Sequence, residues 1–397
     1  MKALFLPFAP GRGMAHAGAC MAIAQELAAR GHEAVLGYGG DTPELLRDAR
    51  VRLIDIPEIP LARTSDRQRV DTWYPAVADL QERAQADLGL IARERPDIVV
   101  TDTRIPAQIA AAASGLPHVS INHFLPSTGL TRWTTPRQRV RALRRPVHTL
   151  TQLPRLASRD PYGARVLSSR VRQARAAFGL DPAKSLFEGA LTLATTTPLL
   201  DPAPGLPASW RFVGPLTWSA PCGTPPPGGR AARPLVYVSQ GSIGAPATLH
   251  EIARALAREP VGGMIATMGA CAPDTLRAIA PRLGVAEYAD NDAWLRVADF
   301  AVLHGGHLTM SAAAIAGLPV IVLPDGRDHW AWAARVEAFG TGIVLRAPRS
   351  PGAIGRAVRR LLGDPGYGQR ARGLARHLAQ WDGRSRAAGA IEQVALT

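Results

Sequence analysis

Short apolar runs alternate along the chain with longer segments of helical pattern. In the first half Lys2 to Phe8, Glu33 to Gly37 and Asp97 to Thr101 read as buried parallel strands. Helices are expected from about Gly18 to Arg30 and through Ala107 to Ser114. Gly31 stands where a left-handed helix cap belongs. The pattern breaks from Gly214 to Gly229, GPLTWSAPCGTPPPGG, where nine of sixteen residues are Gly or Pro and neither helix nor strand can run through. Beyond the break the alternation restarts. Pro234 to Ser239, Gly263 to Met268, Asp299 to Leu303 and Val320 to Leu323 read as strands, Ala247 to Arg258 and His307 to Ala316 as helices. This order predicts an α/β protein of two parallel-sheet halves, with ligands held in a cleft outside the carboxyl ends of the strands. The expected organisation is residues 1–213, a linker at 214–232, residues 233–375, and a C-terminal helix within 376–397 that packs back on the first half.

The length of 397 residues fits two or three domains at roughly 150 residues each. The formal charge is +14, but twelve arginines and one acid, Asp160, fall between Leu130 and Leu180. The rest of the chain is near balance, which argues against a surface made for nucleic acid. The arginine-rich segment reads either as a solvated surface or as a lid or docking face for an acidic acceptor, an anionic membrane surface or a partner protein. Cys20, Cys222 and Cys271 are odd in number and widely spaced, so neither a disulfide framework nor a metal knuckle is written here. The apolar run from Ala3 to Ala9 is short for a signal segment, and no stretch reaches the roughly 18 apolar residues that span a bilayer. A cytoplasmic location is expected.

After the first strand, Pro10 to His16 reads PGRGMAH. Gly11 and Gly13 resemble the start of a dinucleotide fingerprint. His16 occupies the third glycine's place, however, and the second strand ends in VLGYGG without a ribose-binding acid, which argues against a nicotinamide cofactor. The loop instead offers an imidazole just before a helix, suited to take a proton from a hydroxyl at neutral pH; a structural hydrogen bond is its alternative role. Asp102 ends a later strand at the same edge and can orient that imidazole, or else cap the next helix. Asp97 stands at the wrong end of the strand.

The strongest signal is ADFAVLHGGHLTMSAAAIAGLPVIVLPDGRDHWAWAARV, residues 298–336. A buried strand runs into His304, two glycines let backbone amides approach a ligand, and a small-residue helix follows at once. Such a helix tip suits a diphosphate, with His304 or Thr309 donating hydrogen bonds. A second turn of this kind, SQGS ending at Ser242, follows the first strand of the same half. For zinc, His304 and His307 have no third ligand spaced nearby. The triplet Asp290, Asn291, Asp292 imitates a divalent-ion DxD but directly precedes a helical pattern, where capping is its expected role.

These residues resemble the GT-B glycosyltransferases of family 1, particularly the bacterial enzymes that decorate antibiotics and other natural products. AHAGACMAIAQELAARGHE, residues 15–33, is similar to that family's GHxxPxxxLAxxLxxRGHxV opening. PDIVVTD at 96–102, RFVGPL at 211–216 and YVSQGS at 237–242 resemble its later segments. HGGHLTMSAAAIAGLPVIVLPDGRDHWAWAARV resembles HGGxGTxxEALxxGVPxVVxPxxxDQxxNAxRV. The resemblance covers nearly the whole chain and implies the GT-B fold, two Rossmann-like domains facing a central cleft. It places His16 on the catalytic histidine and Asp102 on its orienting aspartate. Gly241 and Ser242 fall on the donor turn, and His304, Gly306, Leu308 and Thr309 on the diphosphate site. Asp328 and His329 fall at the donor sugar, and Tyr288 where an aromatic ring stacks on the base. Two positions depart from the pattern. Ala312 replaces a Glu that accepts from ribose hydroxyls, which favours a deoxyribose, dTDP-linked donor. His329 replaces a Gln, and an imidazole cannot reproduce an amide's paired donor and acceptor, which argues against glucose.

The resemblance implies an inverting transfer of a sugar from a dTDP- or UDP-linked donor to a hydroxyl of a small-molecule acceptor, with no cofactor and no metal. The arginine-rich segment hints at an anionic acceptor, and Trp73, Phe124 and Trp133 on loops of the first half are candidate acceptor contacts. No specific nucleic-acid partner is implied, and a homodimer is compatible with it. The alternatives are a nucleotide-sugar 2-epimerase of the same fold and a non-catalytic auxiliary binding protein.

Overall fold

In the computed structural model, residues 1–8, 13–40, 43–57, 76–123, 169–182, 189–203, 206–220, 226, 233–242, 244–325, 327–346 and 349–396 are described. The first half holds β1 (Lys2–Pro7), β2 (Glu33–Tyr38), β3 (Val51–Asp55), β4 (Ile98–Asp102), β5 (His118–Asn122), β6 (Leu191–Ala194) and β7 (Trp210–Phe212). They form one parallel sheet in the order β3-β2-β1-β4-β5-β6-β7. The second half holds β8 (Leu235–Ser239), β9 (Gly262–Ala266), β10 (Gly284–Ala286), β11 (Phe300–Leu303), β12 (Val320–Val322) and β13 (Gly342–Val344). Their parallel sheet has the order β10-β9-β8-β11-β12-β13. In both, strand order reverses once, between β1 and β4 and between β8 and β11, and a crevice opens at the carboxyl end of such a switch point. The chain therefore has the GT-B architecture of two Rossmann-like domains.

Burial explains the strands. Ala3, Leu4, Phe5 and Leu6 are all fully buried, as residues on both faces of a helix-covered parallel sheet must be. The first half carries α1 (Ala15–Ala29), α2 (Val77–Glu94), α3 (Ile105–Ser114) and α4 (Ser169–Ala177). The second carries α5 (Pro246–Leu256), α6 (Pro273–Ile279), α7 (Asn291–Val297), α8 (His307–Ile315), α9 (Arg327–Phe339), α10 (Pro351–Gly363), α11 (Gly366–Leu378) and α12 (Gly383–Ala395). In α10, Ser350 caps the first turn by accepting from the Ala353 N–H, and Ile354, Val358 and Leu361 line its buried face. Among the described residues, no helix is long and apolar enough to cross a membrane.

The structure corrects one detail with functional weight. α1 begins at Ala15, so His16 lies in its first turn rather than in a loop before it. Ala15 and Ala17 are the strongest helix formers and extend the helix toward its N-terminus. Gly18, expected near the helix start, sits inside it, where a Cβ would stand 2.7 Å from the Trp218 ring. Gly31 does adopt the left-handed conformation, at φ +87°.

Leu216 and Trp218, just after β7, are buried in the core that α1 lines. Ala387, Ala388 and Ile391 of α12 join that same core, and Glu392 of α12 accepts from Arg30 at 2.9 Å. Gly383 starts α12 because a Cβ there would stand 2.4 Å from the Pro215 carbonyl. The two halves also meet beyond β6: Leu200 is buried among core residues of the second half, and Asp201 pairs with the buried Arg335 of α9.

Candidate active site

The first switch point gathers titratable side chains. Asp102 ends β4 beside Pro7 of β1 and Ile121 of β5, and its carboxylate is fully buried. His16 Nδ1 lies 2.8 Å from Asp102 Oδ1, and Thr103 Oγ1 donates to the same oxygen at 2.9 Å. Thr103 takes a left-handed conformation at φ +58°, a strain of about 1–3 kcal/mol for a branched residue, and it persists directly beside this carboxylate. His16 keeps 27% of its side-chain surface exposed, so the pair joins a buried acid to an accessible imidazole.

Sequence reasoning missed the other half of this site. His123, one residue past β5, places Nε2 2.8 Å from Asp102 Oδ2 and Nδ1 2.9 Å from Thr195 Oγ1, one residue past β6. Thr195 Oγ1 lies 3.1 Å from His307 Nε2, the first residue of α8 in the other half. Trp332 of α9 donates its indole N–H to His307 Nδ1 at 3.1 Å. Asp102, His123 and Thr195 thus occupy the carboxyl ends of three adjacent strands. Burial pushes the Asp102 carboxyl up, but the imidazoles of His123 and His16 outweigh it and hold it well below the usual carboxylate range. Burial, with the nearby Arg335, holds the His307 imidazole well below its ordinary value. Asp102 is therefore ionised and His307 neutral at pH 7.

The second switch point carries the other candidates. His304 follows β11 and is buried, with its ring 4.5 Å edge-on from that of His329. His329 Nδ1 lies 3.0 Å from Asp325 Oδ1. Gly241, at φ +68°, and Gly306 make room for the His304 ring, since a Cβ at either would stand 2.6 or 2.3 Å from its Nε2. Gly306 is the residue just before α8, in the N-cap position, and it makes no side-chain cap hydrogen bond. Gly306, Leu308 and Thr309 are half-buried, and Leu308 packs against the first half's core near Gly18. Ser242 follows Gly241 at the same edge. Tyr288 lies two residues beyond β10, half-buried, on the outer side of that carboxyl edge. Asp328 lies in the first turn of α9. Trp73, Phe124 and Trp133 lie outside the described residues.

The two switch points face each other. Ring centroids step from His16 to His123 by 5.3 Å and from His123 to His307 by 4.7 Å, so α1 and the tip of α8 share one site. His16, Asp102 and His123 are also spaced closely enough to hold a metal ion. His16 Nδ1 and His123 Nε2 each sit at hydrogen-bond distance from a different oxygen of the Asp102 carboxylate. Both nitrogens of His307 are likewise engaged, and Asp290 caps α7 by accepting from the Ala293 N–H at 3.0 Å, as its place before a helical pattern predicts.

Comparison with known proteins agrees with this fold. Residues 256–382 match the family model of the erythromycin biosynthesis protein CIII-like C-terminal domain, and residues 19–159 match that of Glycosyltransferase Family 4. The chain is 30% identical over 304 residues to a PGL/p-HBAD biosynthesis glycosyltransferase of Mycobacterium tuberculosis, spanning 75% of this chain and 70% of that protein. It is 28% identical over 370 residues to a PGL/p-HBAD biosynthesis rhamnosyltransferase of Mycobacterium bovis, spanning 91% and 81%. Among solved structures, the spinosyn rhamnosyltransferase SpnG complexed with thymidine diphosphate superposes with a TM-score of 0.69 at 20% identity, covering 99% of this chain and all of that one. A parallel-sheet pair with a switch point in each, joined to these likenesses, identifies the chain as a member of the GT-B glycosyltransferases of natural-product biosynthesis.

Proposed function

We propose that this enzyme is an inverting glycosyltransferase, moving a sugar from a dTDP- or UDP-linked donor to a hydroxyl of a small-molecule natural product, with neither cofactor nor metal. The observation that carries this reading is the His16–Asp102 pair, 2.8 Å apart, at the crevice end of one sheet and two ring steps from the helix tip at the crevice end of the other.

With Nδ1–H donated to Asp102, the basic nitrogen of His16 is Nε2. It takes the proton of the acceptor hydroxyl as the oxygen forms its bond to the anomeric carbon. The bond from that carbon to the diphosphate breaks on the opposite face, so the configuration inverts. Asp102 stabilises the imidazolium as it forms, and such a base contributes about 10²- to 10⁴-fold in rate. The charge that grows on the leaving diphosphate is met by His304, Thr309 and the first-turn amides of α8.

The base preference rests on Ala312, whose methyl group offers a ribose hydroxyl no acceptor. SpnG, which shares the fold, is seen with thymidine diphosphate, and this supports dTDP over UDP as the donor nucleotide. Thermal-shift titration with TDP, UDP and GDP tests the donor class, because a ligand stabilises the fold it binds. TDP is expected to raise the unfolding temperature most, and indifference to all three contradicts the proposal. Incubation with a dTDP-sugar and no acceptor should leave the sugar's stereochemistry unchanged; conversion to an epimer would favour the 2-epimerase reading.

A further inference from the structure

Four buried side chains that proton transfer itself does not use continue from Asp102 into the opposite half, and their chemistry fixes a direction. An indole N–H can only donate, so His307 Nδ1 accepts from Trp332 at 3.1 Å. The neutral His307 ring then carries its proton on Nε2 and donates it to Thr195 Oγ1, 3.1 Å away. The Thr195 hydroxyl has one hydrogen and two candidate acceptors: His123 Nδ1 at 2.9 Å and the Asn122 carbonyl at 3.4 Å. The shorter contact takes it. His123 Nδ1 is thereby an acceptor, its proton sits on Nε2, and it donates to Asp102 Oδ2 at 2.8 Å. The other carboxylate oxygen is left to receive from His16 Nδ1 and Thr103 Oγ1. Asp102, Thr195, His123, His307 and Trp332 are each more than nine-tenths buried, so a misdirected hydrogen bond is costly.

We propose that Thr195, His307 and Trp332 are positioning residues through which the donor-binding half sets the tautomer of His123, and so keeps the full charge of Asp102 available to His16. This rests on the reading of His16 as the base. An imidazolium at His123 would neutralise Asp102 and leave nothing to stabilise a second imidazolium at His16. By donating to His123 Nδ1, Thr195 denies that nitrogen a proton. The link passes between the halves at the Thr195–His307 bond, so the base takes its working form when the two halves dock as they do here, with the donor helix in place.

The test is the ring-nitrogen NMR spectrum of the full chain labelled with ¹⁵N-histidine, assigned with His16→Asn, His123→Asn and His307→Asn variants. In the wild type, His123 and His307 are expected to bear hydrogen on Nε2 and His16 on Nδ1. Thr195→Val, which keeps the side chain's shape and removes the hydroxyl, is expected to abolish the single-tautomer signature of His123. Thr195→Ser is expected to restore it. Should Thr195→Val not fold, Trp332→Phe asks the same question, and His307 should lose its fixed Nε2–H form. Hydrogen on Nδ1 of His123 in the wild type, whether as the other tautomer or as imidazolium, overturns the proposal. So does a Thr195→Val or Trp332→Phe spectrum identical to the wild type. These readouts need no turnover, so an inactive protein with the expected spectra would count against the transferase reading and leave the tautomer chain standing.

Discussion

Asp102 and His118 show how one kind of burial has opposite results. Asp102 stays ionised without any solvent exposure because two imidazoles and a hydroxyl meet its two oxygens. His118, at the start of β5, has the Thr101 hydroxyl at 2.8 Å, and burial holds its pKa down at about 4. The folded state thus refuses a proton that the unfolded chain accepts below an ordinary value near 6.5. Stability from this residue is complete above pH 6.5 and is lost as the pH falls through about 4, by about 3 kcal/mol in total. Urea midpoints at pH 7.5 and 5 should therefore differ more for the wild type than for His118→Gln, and equal differences would refute this origin of acid sensitivity. The sequence pointed to Asp102 because it ends a recognisable strand, and to His16 because it follows the glycine-bearing segment after the first strand. It concealed His123 and Thr195, whose partners lie 21, 72 and 112 positions away in the chain. Their strands, β5 and β6, are short and carry polar residues such as His118, Ser120 and Thr192 among the apolar ones, so neither reads as an apolar run. Had β5 been marked, a histidine just past the same sheet edge as Asp102 would have been an immediate candidate.

Among the elements, the helix tips carry the proposed chemistry. α8 is preceded by a glycine, Gly306, in the N-cap position without a side-chain cap hydrogen bond, and that glycine also makes room for His304. At φ −63° the backbone of Gly306 accepts alanine, so Gly306→Ala should fold normally. Its Cβ, 2.3 Å from His304 Nε2, must displace the imidazole. Losing one hydrogen bond to a charged phosphate corresponds to about 10- to 100-fold weaker TDP binding, measurable by calorimetry. Unchanged affinity would remove His304 from the diphosphate site. The seven segments read as strands from their apolar runs are all strands, because a doubly covered parallel strand is apolar on both faces, whereas β3, β5, β6, β7, β10 and β13 go unread. The start of α1 was not legible either: a glycine inside the helix resembles a boundary, and only the Trp218 ring packed against it explains why it is there.

At the scale of the whole molecule, the halves are locked by contacts that sequence separation hides. Arg335 and Asp201 are both about 2% exposed and form an ion pair between the halves, with Arg335 also stacked 4.7 Å over the Trp332 ring. Burial lowers the pKa of Arg335, and Asp201 counters this. Asp201→Asn removes the opposing charge from a guanidinium that stays buried, and should destabilise the protein by about 3–5 kcal/mol. Chemical denaturation would show this as a lowered midpoint, whereas a change within about 0.5 kcal/mol would mean that the pair contributes little. The same region carries the Thr195–His307 bond, so interdomain docking and active-site order are joined in one place.

The most direct test compares wild type with His16→Ala, supplying a dTDP-sugar and a panel of small phenolic and aliphatic alcohols, and measuring TDP release and the anomeric configuration of the product by NMR. The account predicts an inverted product, and a rate for His16→Ala lower by about 10²- to 10⁴-fold with TDP affinity unchanged. Turnover of the variant at the wild-type rate, or a product that keeps the donor's configuration, would contradict it.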